Sequence, residues 1–172
     1  MEPAEVLRLI KTRRSVRRYS GQPLSEQELE MVLEAGRWAP SGQNNQPWRF
    51  AVVAEPAVKD QIAPLTRYGK IIQGAAALIC CFAHLPSMYH EVKDHQSIGA
   101  CLQNMLLMAH GAGLGAVWLG EILKSAAQVR QVLGLGEELE LMAVLALGRP
   151  GPGNPQSSRK PLAELVLGRY DP

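Results

Sequence analysis

The sequence predicts a single α+β domain in which helices surround one modest sheet. Three observations carry this. Segments with apolar residues at helical spacing alternate with short, continuous apolar runs of strand length. The 172 residues, 47% apolar and 20% charged, suit one ordinary globular core, and no linker or internal repeat divides them. The longest apolar runs, Ala75 to Ala83 and Leu139 to Leu147, fall far short of the roughly 20 residues that cross a bilayer.

The elements follow in order. Residues 3 to 14 set Val6, Leu7, Leu9 and Ile10 among charges, a helical pattern that runs into a basic cluster. Ser25-Glu-Gln-Glu28 is a capping box, and Leu29, Val32, Leu33 and Ala35 carry an amphipathic helix to about Trp38, where Pro40 stops it. Arg49 to Val53 reads as a short buried strand, Val58 to Tyr68 as a short helix and Ala75 to Ala83 as a second strand. Asp94 to His110 is the most apolar helix, with Ile98, Leu102, Met105, Leu106 and Met108. A helix apolar nearly all round is buried centrally or against a partner subunit. Gly111 and Gly113 end it, and Ala116 to Leu119 is a short strand or extended turn. Ser125-Ala-Ala-Gln128 caps another short helix, and Leu139 to Leu147 is a strongly apolar strand. Gly148 to Ser158 is a Pro/Gly-rich loop. The tail, Pro161 to Pro172, carries Leu162, Leu165, Val166 and Leu167 and is expected to pack on something.

Charge and cysteine usage narrow the function classes. A net charge of +2 is too small for general nucleic-acid binding, yet Lys11, Arg13, Arg14, Arg17 and Arg18 lie within eight residues. Cys80, Cys81 and Cys101 are odd in number. Adjacent strand residues point to opposite faces, so the expectation is buried, reduced thiols. His84, His90, His95 and His110 form no metal-ligand spacing. The first residues show no basic stretch followed by an apolar core, so a cytosolic protein is expected.

Two segments carry chemistry. Thr12-Arg-Arg-Ser-Val-Arg-Arg18 gathers guanidinium groups around a hydroxyl, a donor set suited to phosphate oxygens. The same cations at a helix end also suit the helix dipole, and neither a P-loop nor a GxGxxG turn is present. Ala39-Pro-Ser-Gly-Gln-Asn-Asn-Gln-Pro-Trp48 places amides, a hydroxyl and a glycine between two prolines. Such a turn offers fixed donors and acceptors to a flat polar ring, although Asn, Ser, Gly and Pro also populate turns for backbone reasons alone.

These segments, with Ser97-Ile-Gly-Ala-Cys-Leu-Gln-Asn104, Gly113-Leu-Gly-Ala-Val-Trp-Leu-Gly-Glu121 and Ser158-Arg-Lys-Pro-Leu-Ala-Glu164, occur in the order seen in the nitroreductase family of FMN-dependent oxidoreductases, which nearly the whole chain resembles. The resemblance implies one FMN-binding domain over residues 1–172. Its fold would be a three-layer α-β-α arrangement around a mixed or antiparallel sheet, in an intertwined homodimer with FMN at the subunit interface. Carried over by position, Arg13, Arg14, Ser15 and Arg17, with Arg159 and Lys160, would hold the phosphate and ribityl end. Pro40, Ser41, Gly42 and Asn44 would come from the other subunit. Lys70 would lie near the pyrimidine edge with Arg67 one helical turn earlier, and Leu119, Gly120 and Glu121 would run backbone past the ring.

The implied activity passes a hydride from NADH or NADPH to flavin N5 and then electrons to a nitroaromatic, quinone or similar small acceptor by a ping-pong mechanism. The flavin carries the reactive centre, so no catalytic side chain and no metal is expected. A flavin-handling or flavin-fragmenting protein of the same fold, or a basic-patch module binding phosphate or nucleic acid, are the alternatives. Residues His84 to Lys93 are short where many relatives carry an insertion, and Tyr89 and His90 could line the acceptor pocket or be ordinary loop aromatics.

Overall fold

A computed structural model describes residues 2–153 and 156–170. Its centre is a four-stranded antiparallel sheet in the order β1 (Trp48–Val53), β2 (Ala77–His84), β4 (Leu139–Gly148), β3 (Gly115–Leu119). β2 is buried on both faces because its side chains alternate. Ile79, Cys81 and Ala83 join one core, and Leu78, Cys80 and Phe82 the other. In β4, Cys81 pairs with Ala143 and Phe82 with Leu141, leaving Met142 as an extra residue. That bulge reverses the alternation and sets Leu141 on the same face as Val144 and Ala146.

Helices cover both faces, as expected of three layers. Helix α2 (Glu26–Arg37) and the long helix α5 (Glu91–Gly111) pack on the first core through Val32, Ile98, Leu102, Met105 and Ala109. The capping box at its start is present: Ser25 Oγ accepts from Glu28 N at 3.2 Å while Glu28 Oε2 accepts from Ser25 N at 2.9 Å. Short helices α3 (Pro56–Ile62), α4 (Gly69–Gly74) and α6 (Ala126–Val132) cover the other core through Ile62, Ile72 and Val129.

Several expectations need correction. The helix expected over Val58 to Tyr68 ends at Ile62, because Pro64 turns the chain into a 3-10 turn over Ala63–Leu65 before α4 begins. The second strand begins at Ala77, since Ala75 closes α4. Ser125 makes no side-chain cap; a 3-10 turn over Glu121–Ser125 runs straight into α6. The tail expected to pack from Pro161 is exposed throughout its described residues, 161–170, with Leu167 at 99% and Tyr170 at 93% exposure.

Helix α1 (Pro3–Thr12) also buries no residue, and Val6, Leu7 and Ile10 stay exposed along its apolar side. Helix α5 is buried on one side only. Val92, Gln96 and Gln103 lie open on its outer stripe, with Gly99 and Leu107 half-covered between and beyond them. Among the described residues no helix is long and apolar enough to cross a membrane.

Candidate functional site

The chain leaving α1 is strapped along the sheet margin before it reaches α2. Ser15 bridges Ala116 at the start of β3, Val16 N donates to Ala116 O at 3.0 Å, and Gly151 N donates to Arg18 O at 2.8 Å. Gly115 allows this approach, since a β-carbon there would stand 2.6 Å from Val16 Cγ1. The Tyr19 hydroxyl lies 3.0 Å from Val16 O and 2.9 Å from Ala146 O, and its burial pushes the phenol well above its usual pKa.

This strap delivers Arg13, Arg14, Ser15 and Arg17 to a cavity of about 220 Å³ that Gln156, Ser157 and Arg159 complete from the tail. A neighbouring hollow of about 340 Å³ adds Ile10, Lys11 and Gln103. Among the described residues no carboxylate lies within 4.0 Å of Arg13, Arg14, Arg17 or Arg159. Arg14 Nη1 donates to the carbonyls of Lys11 and Arg13 at 2.6 and 2.8 Å, and Arg159 Nη1 to Ser157 Oγ and, at 2.7 Å, to Ser158 O. Burial first, then the charges of Arg159 and Arg14, push the Arg13 guanidinium below its usual pKa. Four cations facing one hollow, with no counter-charge among the described residues, have the donor chemistry that suits a dianion. On the α1 side of this pole, Thr12 Oγ1 lies 2.9 Å from His110 Nε2 at the end of α5.

The amide-rich turn sits at the opposite end of α5. Ser41 leads into a 3-10 turn over Gly42–Asn44. Gln43, Asn44 and Gln46 are all left-handed, with φ of 55°, 55° and 47°. Each such non-glycine residue costs about 1–2 kcal/mol, so the surrounding bonds must hold the turn. Ser41 Oγ accepts from Gln46 N at 3.0 Å, and Gln46 Nε2 donates to Asn44 O at 3.1 Å. Asn45 Nδ2 donates to Ser87 O at 3.0 Å and to Asp94 Oδ1 at 2.7 Å. Asp94, fully buried, also accepts the backbone N–H of Tyr89 at 2.9 Å and of His90 at 2.8 Å. Burial alone would raise the Asp94 carboxyl, but the His90 N–H, the Asn45 amide and the Tyr89 N–H outweigh it and hold it below the usual range.

A third group lies along β3. Leu119 is buried at the end of the strand, three residues or about 10 Å beyond the Ser15 pairing. Gly120 and Glu121 follow. Glu121 accepts from Thr66 Oγ1 at 2.5 Å and from Arg67 N at 3.3 Å, and pairs with Lys124 at 2.5 Å. Lys124 chiefly, with Thr66, pulls the Glu121 carboxyl down to about 2. This knot ties the end of β3 to the segment just before Lys70, which is exposed in the first turn of α4.

The sequence model of the Nitroreductase family matches residues 10–69 and 66–149. The chain belongs to the nitroreductase family. A nitroreductase-family protein from Desulfovibrio desulfuricans, solved in complex with FMN, superposes with a TM-score of 0.93. It is 49% identical and covers 100% of this chain, which in turn covers 99% of it. The NADH dehydrogenase of Thermus thermophilus is 30% identical over 91% of this chain and 92% of its own length. The NADPH-flavin oxidoreductase of Vibrio harveyi is 27% identical over 90% of this chain and 69% of its own.

Within this nitroreductase fold, the expected site residues fall into three places. Arg13, Arg14, Ser15, Arg17 and Arg159 meet in one cavity, whereas Lys160 is exposed and does not line it. Pro40, Ser41, Gly42 and Asn44 stand at the other end of α5, which spans about 24 Å between Asp94 and His110. Arg67 precedes α4 and stacks on Tyr68, its Cζ 4.9 Å from the ring centroid, so it does not share a helix face with Lys70. Sequence reasoning missed Asn45, Asp94, Gln103 and Ser157. Asn45 lay inside the quoted amide run, and Asp94 opened the apolar helix as its one early buried acid, the only signals available.

Proposed function

We propose that the chain is an FMN-dependent NAD(P)H oxidoreductase acting as a homodimer, with each flavin site shared between two subunits. The observation that carries this is the recessed cluster of Arg13, Arg14, Arg17 and Arg159 around Ser15, which no carboxylate among the described residues pairs within 4.0 Å. Its donor set fits the terminal phosphate of FMN, and the FMN complex of the 49% identical Desulfovibrio protein supports that choice of cofactor.

FMN, when bound, supplies a ring that takes a hydride from NADH or NADPH and returns two electrons to an acceptor, for the balance NAD(P)H + H⁺ + acceptor → NAD(P)⁺ + reduced acceptor. The protein's residues bind, orient and tune. Arg13, Arg14, Ser15, Arg17 and Arg159 hold the phosphate and ribityl end. Lys160 follows Arg159 in sequence and adds positive charge from the exposed tail. Lys70 brings an ammonium to stabilise negative charge on the reduced ring. Leu119, Gly120 and Glu121 provide backbone, held in place by the Glu121 to Thr66 bond. Pro40, Ser41, Gly42 and Asn44 of the second subunit close the ring side.

The dimer is supported by separation. The amide turn packs at the Asp94 end of α5, whereas the cation pole lies beside Gln103 and the His110 end of a helix that spans about 24 Å from Asp94 to His110. Two α5 helices packed antiparallel through their outer stripes, where Gln96 and Gln103 are open and Gly99 is half-covered, would bring the turn of one subunit to the cation pole of the other. Helix α1 and the apolar tail, both uncovered here, supply further surface for the intertwined partner. Nitroaromatics and quinones are the acceptors tested first. Flavin content of the purified dimer, and bleaching of its visible band by NADH or NADPH without oxygen, with recovery on adding an acceptor, are the expected results. A protein that retains no flavin after incubation with FMN and desalting overturns the proposal.

A further inference from the structure

We propose that Tyr89 and Lys93 form the acceptor-selecting wall of this site, and that the wall favours planar acceptors carrying a negative charge. The inference rests on the flavin reading above, because it takes the Gly42 turn to lie beside the ring. Tyr89 follows the short loop after β2, is 41% exposed, and presses its hydroxyl end onto Gly42. A β-carbon at Gly42 would overlap Tyr89 Oη and stand 2.6 Å from its Cζ. The aromatic ring therefore borders the amide turn directly.

Tyr89 is also fixed at its backbone. Its N–H is bonded to the buried Asp94 carboxylate that holds Asn45 of the turn, so wall and turn keep one geometry. Asp94 acts here as a positioning residue. On the wall itself Lys93 Nζ stands 5.5 Å from the Tyr89 ring centroid, and the His90 ring meets Tyr89 edge-on at 6.4 Å. Among the described residues no carboxylate lies within 4.0 Å of Lys93. Lys93 Nζ lies over the Tyr89 ring, so the pair meets a flat molecule twice: the plane packs against the ring surface left exposed, and an anionic substituent draws the ammonium into an ion pair. A neutral plane uses only the face, and a cationic one is repelled.

The test uses the FMN-loaded dimer and two non-reducible probes, 2-naphthoate and 2-naphthamide, titrated calorimetrically. The native protein is expected to bind the carboxylate more tightly. Lys93→Met, at an exposed position, should raise the 2-naphthoate Kd roughly fivefold and leave 2-naphthamide unchanged, while Tyr89→Leu should weaken both. In turnover, Lys93→Met should lower the kcat/KM ratio of 4-nitrobenzoate to 4-nitrobenzamide by a similar factor. Equal 2-naphthoate affinity in native and Lys93→Met protein, each with full flavin and normal bleaching by NAD(P)H, overturns the wall while leaving the flavin reading intact. Absence of bound flavin overturns the reading beneath it, and is read separately from flavin content before any probe is added.

Discussion

The two ends of α5 are built on opposite principles. At the Arg13 pole the fold gathers four guanidinium groups with no carboxylate among the described residues within 4.0 Å of them, a donor set suited to an anion. At the Gly42 pole three left-handed residues are locked by Ser41, Asn45 and Asp94, so the shape is complete before anything binds. Affinity thus belongs to the first region and orientation to the second. One is a store of unspent charge, and the other is a preorganised surface.

Substitutions can break this contrast, beginning with the largest effect. Arg13→Ala with Arg159→Ala removes two charge-assisted partners, each contributing about 1.5–3 kcal/mol. FMN affinity should fall by at least about a hundredfold, measured by flavin fluorescence on titration. The flavin-free protein should melt at the same temperature or higher, because the change relieves repulsion around Arg13. A large drop in its melting temperature would mean that the arginines hold the fold together instead.

Asp94→Asn attacks the other pole. It removes a carboxylate that joins the turn, the Tyr89 segment and α5, and should lower the melting temperature at pH 7 by roughly 4–10 °C. The folded protein holds this carboxyl below its unfolded value. Its stabilisation is therefore whole above the unfolded pKa, about 4, and is lost as pH falls through the lower folded value. The gap between native and Asp94→Asn proteins should narrow in that acid window. A gap that stays constant from pH 7 to pH 3 would show that the carboxylate charge has no part in it.

The smallest effect sharpens the claim of strain. Asn44→Gly relieves a left-handed side chain but adds chain entropy to the unfolded state, for a net gain of about 0.5 kcal/mol, or a rise of 1–2 °C. A fall in melting temperature would show that the Asn44 side chain contributes more to the turn than its backbone strain costs.

Much of the scaffold was legible in the chain itself. The Ser25 and Glu28 box marked α2, the continuous apolar runs marked β2 and β4, and the arginine cluster marked the cation-lined cavity. These are local patterns, set by capping, alternation and charge density. What escaped is non-local or singular. Pro64 split an expected helix because one residue outweighs a periodic pattern. The Met142 bulge leaves no trace in composition. Asp94 is one carboxylate whose three partners come from Asn45, Tyr89 and His90, a meeting that only the fold brings about. Arg159 reached the arginine cluster through family resemblance, since 140-odd residues of chain separate them. The expected packing of the tail is not met within the chain, where Leu162, Leu165, Val166 and Leu167 are all exposed.

Subunit mixing tests the shared site most directly. Arg13→Ala/Arg159→Ala damages the cation pole, and Asn44→Trp, at an exposed position, obstructs the amide turn. Each homodimer should lose flavin. In a mixed dimer of the two, one site collects every lesion and the other collects none, so one tightly held FMN per dimer is predicted. If each flavin lay within a single subunit, both sites of the mixed dimer would be damaged and flavin would not return.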